Sequence, residues 1–223
     1  MNIRLSAIEA RIVGALIEKQ ITTPDQYPLS LNALVNACNQ KSNREPLMQL
    51  DERTVKTVVD SLCRRHFVLE KSGFGSRVPK YQHIFCNTEF GSLRFTPQET
   101  AIVCELLVRG PQTPGELRAR VTRMAEFPDP NVIETLLAAL AARADGAIVA
   151  QLPRETGRRD SRWAQLFEEL PEIQPATDAA PPRAEAVAER PVPGELAARV
   201  ATLEAEVAAL RAEIELLKQE RQA

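Results

Sequence analysis

The chain has 223 residues, of which 44% are hydrophobic and 4% are aromatic, and its formal net charge is −2. This length allows one large domain or two small ones with mainly aliphatic cores. No stretch reaches the roughly 18 apolar residues of a membrane span, and the chain starts with a helical pattern rather than a signal peptide. The composition therefore predicts a cytoplasmic protein without a membrane partner. The cysteines have no paired spacing and are expected to be reduced and buried: Cys38, Cys63, Cys86 and Cys104.

The charge is sorted along the chain. Residues 1–95 carry 13 Lys and Arg against 9 Asp and Glu, residues 96–170 carry 9 against 11, and residues 171–223 carry 6 against 10. The basic end of the chain is therefore the N-terminal one.

An internal repeat begins with two helix-forming segments. "LSAIEARIVGALIEK" at 5–19 aligns with "FTPQETAIVCELLVR" at 95–109, an offset of 90 residues. Each segment opens with the Ser/Thr-x-x-Glu capping box that satisfies free amides at a helix start, with Ser6 and Thr96 as the N-caps. Both segments are therefore predicted to be helices.

Two further pairs complete the repeat. Ser30 and Thr113 are predicted N-caps of a second helix in each half. The segments at 51–68 and 129–143 place apolar residues on one helical stripe, and each is followed by two β-rich runs around a polar turn. Three helices and then a hairpin, twice over, predict an α+β, mostly helical fold of tandem winged helix-turn-helix domains. The predicted boundaries are 1–92 for winged-helix domain 1 and 93–170 for winged-helix domain 2.

Four strings of residues resemble a known family. "PLSLNALVNACNQKSNREP", "SGFGSRVPKY", "FCNTEFG" and "RGPQTPGELRAR" are similar to the YceH family of bacterial proteins. The resemblance covers about residues 1–170 and implies a tandem winged-helix fold. It implies no activity, because the function of the family is uncharacterised.

The third helix of domain 1 is the candidate recognition helix, since this helix enters the major groove in helix-turn-helix proteins. Opposite its apolar stripe it presents a net positive face, and the hairpin that follows, the wing, adds further cations. Such side chains can neutralise phosphates and bind base edges. The candidate contacts are Arg53, Lys56, Thr57 and Arg64 on the helix, with Lys71, Arg77 and Lys80 on the wing. The alternative is an ordinary solvated helix face and turn.

The connection before this helix, residues 39–50, is longer than the roughly three or four residues of a compact helix-turn-helix. Lys41, Asn43 and Arg44 are candidate contacts there, with the two cations placed to clamp phosphates. The alternative is that Asn39 and Asn43 form local caps and that Arg44 folds against the domain. The sequence leaves both interpretations open.

Domain 2 differs from domain 1 in its third helix. The outward positions of this helix carry no positive charge: Glu134, Thr135, Ala138 and Ala142. The helix is therefore a poor reader of DNA and a candidate protein-binding surface. The wing of domain 2 is basic, and its arginines are Arg154, Arg158, Arg159 and Arg162. Of these, Arg158 and Arg159 are candidate contacts to a nucleic-acid backbone.

Neither a metal site nor an active site is predicted. Cys63 with His66, and His83 with Cys86, have a spacing that resembles that of zinc ligands. Residues three apart in a strand point to opposite faces, however, and Cys63 falls on the buried stripe of its helix. The chain contains no phosphate-binding glycine loop and no nucleophile motif. We therefore expect no cofactor and no enzymatic activity.

The composition changes from residue 171. Residues 171–193 contain six prolines and no periodic apolar signal, which predicts a disordered linker. Residues 194–223 follow strict heptads with Leu at d and β-branched residues at a, which favours a parallel two-stranded coiled coil. The predicted dimerisation positions are Leu196, Val200, Leu203, Val207, Leu210, Ile214 and Leu217. The alternative is a helix that packs back on its own winged domains.

Together these patterns predict a homodimeric, non-enzymatic DNA-binding protein of the kind that regulates transcription. DNA would be contacted mainly through domain 1. The alternative is a protein–protein scaffold built on the same tandem winged helices, without direct reading of DNA.

Overall fold

The fold is α+β, with six α-helices and five short strands among the described residues. The computed structural model describes residues 3–71, 78–89, 93–129, 132–155 and 157–168, which all belong to one unit by their contacts. The helices are α1 Ala7–Thr22, α2 Leu31–Cys38, α3 Glu52–Arg64, α4 Pro97–Arg109, α5 Pro114–Val121 and α6 Val132–Ala141, with a 3-10 turn at Pro24–Gln26. The strands are β1 Leu29–Ser30, β2 Val68–Lys71, β3 Lys80–His83, β4 Val149–Gln151 and β5 Trp163–Gln165. None of the described helices is long and apolar enough to cross a membrane.

The predicted helix starts are confirmed. The hydroxyl of Ser6 accepts a hydrogen bond from the amide of Glu9 at 3.3 Å, and the Glu9 carboxylate accepts one from the amide of Ser6 at 2.9 Å. Thr96 and Glu99 make the same capping box at α4. The caps of α2 and α5 are Ser30 and Thr113, as expected. Each cap bonds within its own first helical turn, so the local sequence is enough to place it.

Each half of the repeat ends in an antiparallel hairpin, β2 with β3 and β4 with β5. A third segment joins each hairpin at the same edge. In the first half β1 pairs with β3, where Leu29 lies opposite Tyr81, and in the second half Gln112 forms an isolated antiparallel bridge with Trp163. The second half thus resembles the strand order β1-β3-β2 of the first, with an isolated bridge in place of the third strand.

α1 and α4, the first helices of the two halves, pack against each other. Residues 9–18 of α1 and residues 100–108 of α4 are buried on all sides. A Cβ atom added at Gly14 would lie 2.7 Å from Val108 Cγ1 and 2.9 Å from Leu107 Cβ, so the approach of the helices depends on this glycine. Apolar side chains of both halves belong to one hydrophobic cluster, and each fully buried one contributes about 1.5–3 kcal/mol.

All four cysteines are free thiols. Cys38, Cys86 and Cys104 are buried as expected, whereas Cys63 is only half-buried, although it was expected on the buried stripe of its helix. Burial raises the pKa of Cys38 and of Cys86 to about 12. Their thiols therefore stay protonated at neutral pH and pack as small apolar groups.

Candidate nucleic-acid interface

α3 is amphipathic, and its buried and exposed faces are those that the sequence predicts. Its Val55, Val59 and Leu62 side chains are buried in the core. Arg53 and Arg64 are exposed, and neither makes a salt bridge with another described residue. Two arginines on this helix are therefore free to meet an anion from solvent.

Lys56 and Thr57 are engaged within the helix. Lys56 Nζ donates to Asp60 Oδ1 at 2.5 Å, and the side chains of this pair are 41% and 46% exposed. The hydrogen bond to Asp60 is the main cause that raises the pKa of Lys56, with a smaller contribution from Glu70. The Thr57 hydroxyl donates to the carbonyl of Arg53 at 3.0 Å. Because an ion pair this exposed is worth about 0.3–0.5 kcal/mol, a phosphate can compete with Asp60 for Lys56.

The wing of the first half carries a pair of like charges. Lys71 on β2 and Lys80 on β3 are register partners, and both are exposed. Like charges directly opposite on a sheet repel each other, so an anion bound between them would relieve that repulsion. Arg77 lies outside the described residues.

The connection between α2 and α3 is closed by one side chain. Asn39 donates its amide to the carbonyl of Leu50 at 2.8 Å and accepts from the amide of Leu50 at 2.8 Å. These bonds join residues eleven positions apart, so they are not the local cap that the sequence left open as an alternative for Asn39. Lys41, within the closed loop, is exposed.

The prediction that Arg44 contacts a phosphate is wrong. Arg44 is 3% exposed, its Nε donates to the carbonyl of Ala37 at 2.9 Å, and its guanidinium forms a salt bridge with Glu18 of α1. Asn43 is half-buried with a positive φ of 54°, and its amide donates to Glu18 at 3.3 Å and to Glu105 at 3.1 Å. A charge inside the protein is stable only when paired, and Glu18 provides that pair. Arg44 therefore belongs to the core. The amide of Asn43 bonds to the carboxylate of Glu18, which also pairs with Arg44, and to that of Glu105.

These two residues belong to an ionic cluster that joins the halves of the repeat, defined as Glu18, Asn43, Arg44, Glu105 and Arg123. The Nη2 atom of Arg123 lies 2.6 Å from Glu18 and 2.7 Å from Glu105. The two glutamates are 1% and 0% exposed. Burial alone would raise the pKa of Glu18, but the hydrogen bonds and charges of Arg44 and Arg123 outweigh it and leave that pKa below its usual value. Sequence reasoning missed this cluster, since its members are far apart in the chain and follow no period.

The basic wing of the second half is only partly available. Arg158 pairs with Glu155 at 2.9 Å on an exposed surface. Arg159 is exposed and lines a polar cleft of about 590 Å³ between α5, α6 and the wing. The other cations of this cleft are Arg118 and Arg154, its aromatic wall is Trp163, and its carboxylates are Glu134 and Asp160. The outward positions of α6 are exposed as expected: Glu134, Thr135, Ala138 and Ala142.

His83 and Cys86, which have zinc-like spacing, do not both lie in one strand as the sequence suggested. β3 ends at His83, and both His83 and Cys86 are buried, so the strand alternation expected for this pair does not apply. His83 Nε2 bonds to Gln20 Oε1, and burial lowers the pKa of His83 to about 4. Within the described ranges there is no group of three or more His, Cys, Asp or Glu side chains that could hold a metal ion.

Comparison of the sequence with known proteins identifies its family. Residues 5–158 match the model of the family described as "Protein of unknown function, DUF480". The chain belongs to this DUF480 family. It is 57% identical over 181 residues to a "UPF0502 protein" of Aeromonas hydrophila, which covers 81% of this chain and 82% of that one. It is 51% identical over 205 residues to "UPF0502 protein YceH" of Escherichia fergusonii, with 92% and 91% covered, which confirms the resemblance to YceH.

The DUF480 match contains most of the candidate interface. It runs from the residue before the α1 cap to Arg158, and so includes α3, the first wing and the ionic cluster. Arg159 and the predicted coiled coil follow the matched segment. The coiled-coil positions between 194 and 223 also lie outside the described residues.

Proposed function

We propose that the protein is a non-enzymatic DNA-binding protein built on two tandem winged helix-turn-helix domains. Each half has three helices, a two-stranded wing and an edge segment that pairs with the second wing strand, which is the order expected of that fold. The observation that carries the proposal is the outer face of α3, where Arg53 and Arg64 are exposed and unpaired among the described residues.

In this proposal α3 lies in the major groove. Arg53, in its first turn, reaches a base edge, where arginine binds guanine in a bidentate manner. Arg64 and the Lys71–Lys80 pair contact phosphates on either side of the groove, and Lys41 adds a further phosphate contact. These backbone contacts supply affinity without sequence information, whereas Arg53 supplies the specificity.

Domain 2 plays a different part. Its α6 exposes Glu134 and small side chains, and a carboxylate in the groove would face phosphates unfavourably. Arg158 and Arg159 on its wing hold the backbone beside the site read by domain 1. The exposed face of α6 is left for a protein partner.

The predicted coiled coil would double this arrangement. Two copies joined in parallel through residues 194–223 present two recognition helices to one duplex, and the second contact then benefits from a high effective concentration. A dimer of this kind fits a transcriptional regulator that binds a site with two halves.

The proposal is tested by fluorescence anisotropy with a labelled duplex at several salt concentrations. Replacement of Arg53, Lys56 and Arg64 by Ala is expected to weaken binding. The loss of the Lys56 and Arg64 phosphate contacts should reduce the slope of log K against log salt by about two, since each phosphate contact releases about one counterion. A control variant loses the same charge elsewhere, by changing Arg4, Lys19 and Arg94 to Ala, and should retain most of the slope. Binding that is independent of salt, or unaffected by the α3 changes, would rule out this role for α3.

A protein scaffold is the second candidate function. Three large apolar side chains of the first half are exposed: Leu47 at 65%, Leu69 at 42% and Val78 at 55%. If these side chains form one contiguous apolar patch, that patch would be a candidate protein-binding surface. If the duplex is not bound even at low salt, these side chains and the face of α6 become the surface to test by mutation and cross-linking to partners.

A further inference from the structure

A small cavity lies where the two halves of the repeat meet, away from the α3 surface. Its volume is about 180 Å³, and its walls come from α1, the loop before α3, the end of α4 and β5. The apolar part of the wall includes Met48, Leu107, Pro111 and Ala164. One charged side chain of the wall, Arg11, is almost completely buried at 1% exposure.

Arg11 makes no direct ion pair within the described part of the chain, although the negative charge of Glu168 acts on it favourably from a distance. Its Nη1 donates to the carbonyl of Cys38 at 3.1 Å and its Nη2 to the carbonyl of Pro46 at 2.7 Å, both neutral backbone groups. Its Nε has no hydrogen-bond partner, and Arg11 makes no salt bridge with another described residue. A guanidinium has more N–H donors than these two bonds use. Since a buried charge without a partner is strongly unfavourable, the site is electrostatically incomplete.

The other charged groups around the cavity do not complete it. Glu45 is largely exposed and pairs with Arg109 at 3.3 Å. Glu168 is half-buried and accepts from Gln165 at 2.5 Å rather than from Arg11. Arg44, which carries the same charge as Arg11, acts on it unfavourably. Burial also raises the pKa of Glu168, which weakens this carboxylate as a counter-ion.

The size of the cavity limits what can fill it. A protein cavity of about 150 Å³ with apolar walls takes up benzene, whereas drug-sized ligands need about 300 Å³ or more. At about 180 Å³, the present cavity has room for one ring or a branched chain of similar size together with a carboxylate. An inorganic ion would leave the apolar wall without contacts.

We propose that this cavity binds a small organic carboxylate with a single apolar ring, of which benzoate is the simplest example. The carboxylate accepts hydrogen bonds from the free N–H groups of Arg11, and the ring packs against Met48, Leu107 and Ala164. Such a ligand contacts both halves of the repeat at once. This proposal does not rest on the proposed function.

The test is a calorimetric titration of the full-length chain with sodium benzoate. Acetate supplies the charge without the ring, and benzyl alcohol supplies the ring without the charge. Benzoate is expected to bind at least about tenfold more tightly than either, because a charge-assisted hydrogen bond and burial of the ring each contribute that much. Equal binding of acetate overturns the role of the apolar wall, and equal binding of benzyl alcohol overturns the role of Arg11.

Two variants locate the binding. Arg11→Met keeps an apolar side chain of similar length and should weaken benzoate about tenfold or more, whereas the exposed Arg64→Met should leave it unchanged. Met48→Trp keeps Arg11 but fills the cavity, and it decides the matter if Arg11→Met does not fold, as judged by circular dichroism. Glu168→Gln removes a competing negative charge and should strengthen binding. Benzoate affinity unchanged in Met48→Trp and in a folded Arg11→Met overturns the proposal.

Discussion

The thiol of Cys104 lies 3.3 Å from the carbonyl oxygen of Gly14 and donates to it. The two residues are separated by the 90-residue offset of the internal repeat, so they occupy equivalent positions on α4 and α1. The halves of the repeat therefore meet through equivalent points of their first helices. One side of this contact has no side chain at all, which allows the helices to approach closely.

Gly14→Ala is expected to destabilise the protein. The new methyl group would lie 2.9 Å from Leu107 Cβ, an atom fixed to the α4 backbone, and 2.7 Å from Val108 Cγ1. Overpacking costs about 1–3 kcal/mol and outweighs the gain of about 1 kcal/mol that alanine gives in a helix. Urea denaturation measures the change in the free energy of unfolding.

Gly115→Ala is the matched control for that change. Gly115 lies in α5, and a Cβ atom there would meet nothing within 4 Å. The protein should be unchanged or more stable by up to about 1 kcal/mol. Adding Val108→Ala to Gly14→Ala should recover part of the loss. Equal stability of Gly14→Ala and the wild type would show that α1 and α4 do not pack this closely.

Substitutions of Arg44 and Lys41 should affect stability differently, although both residues are candidate phosphate contacts in the sequence. Arg44→Met leaves Glu18 buried with one arginine fewer, and breaking such a pair costs about 3–5 kcal/mol. Lys41→Met changes an exposed side chain and should alter stability by no more than about 0.5 kcal/mol. Thermal and urea denaturation of the two variants give the comparison. Similar losses of stability in both would contradict the burial of Arg44.

His83 should make the protein less stable in mild acid. Its native-state pKa is about 4 because of burial, against an ordinary value of 6.5. Between these values the unfolded chain binds a proton that the native state does not, so stability is fully present above pH 6.5 and falls as the pH approaches 4. The loss amounts to about 3 kcal/mol.

Denaturation curves measured from pH 5 to pH 7 check this dependence. His83→Gln should flatten the change in unfolding free energy over that range. His66→Asn is the control, because His66 is exposed and its positive φ of 58° is one that asparagine also adopts. Parallel curves for the wild type and His83→Gln would mean that another group causes the acid sensitivity.

Deletion of residues 194–223 is expected to convert a homodimer into a monomer. The heptad pattern with Leu at d and β-branched residues at a favours a parallel pair of helices. Light scattering gives the mass of the full-length and truncated chains, and DNA affinity should fall with the loss of the second linked site. A full-length monomer, or a truncated chain that is still a dimer, would remove this role from the segment.

Features that depend on neighbours in the chain could be predicted from the sequence. Ser6 and Thr96 each bond to the residue three positions later, so the capping boxes and helix starts are local facts. The stripe of Val55, Val59 and Leu62 has the helical period, and its burial follows from that period. The internal repeat and the resemblance to YceH can also be identified from short stretches of the sequence alone.

The positions of polar side chains at the junction of the two halves were decided only by the tertiary structure. Lys41 and Arg44 are three residues apart in one polar loop, yet one is exposed and the other is 3% exposed. The difference arises because α1 presents Glu18 to Arg44, and α4 and the segment after α5 add Glu105 and Arg123. A buried ion pair forms where oppositely charged side chains from distant segments come together out of water. The spacing of residues within one segment does not predict such a contact.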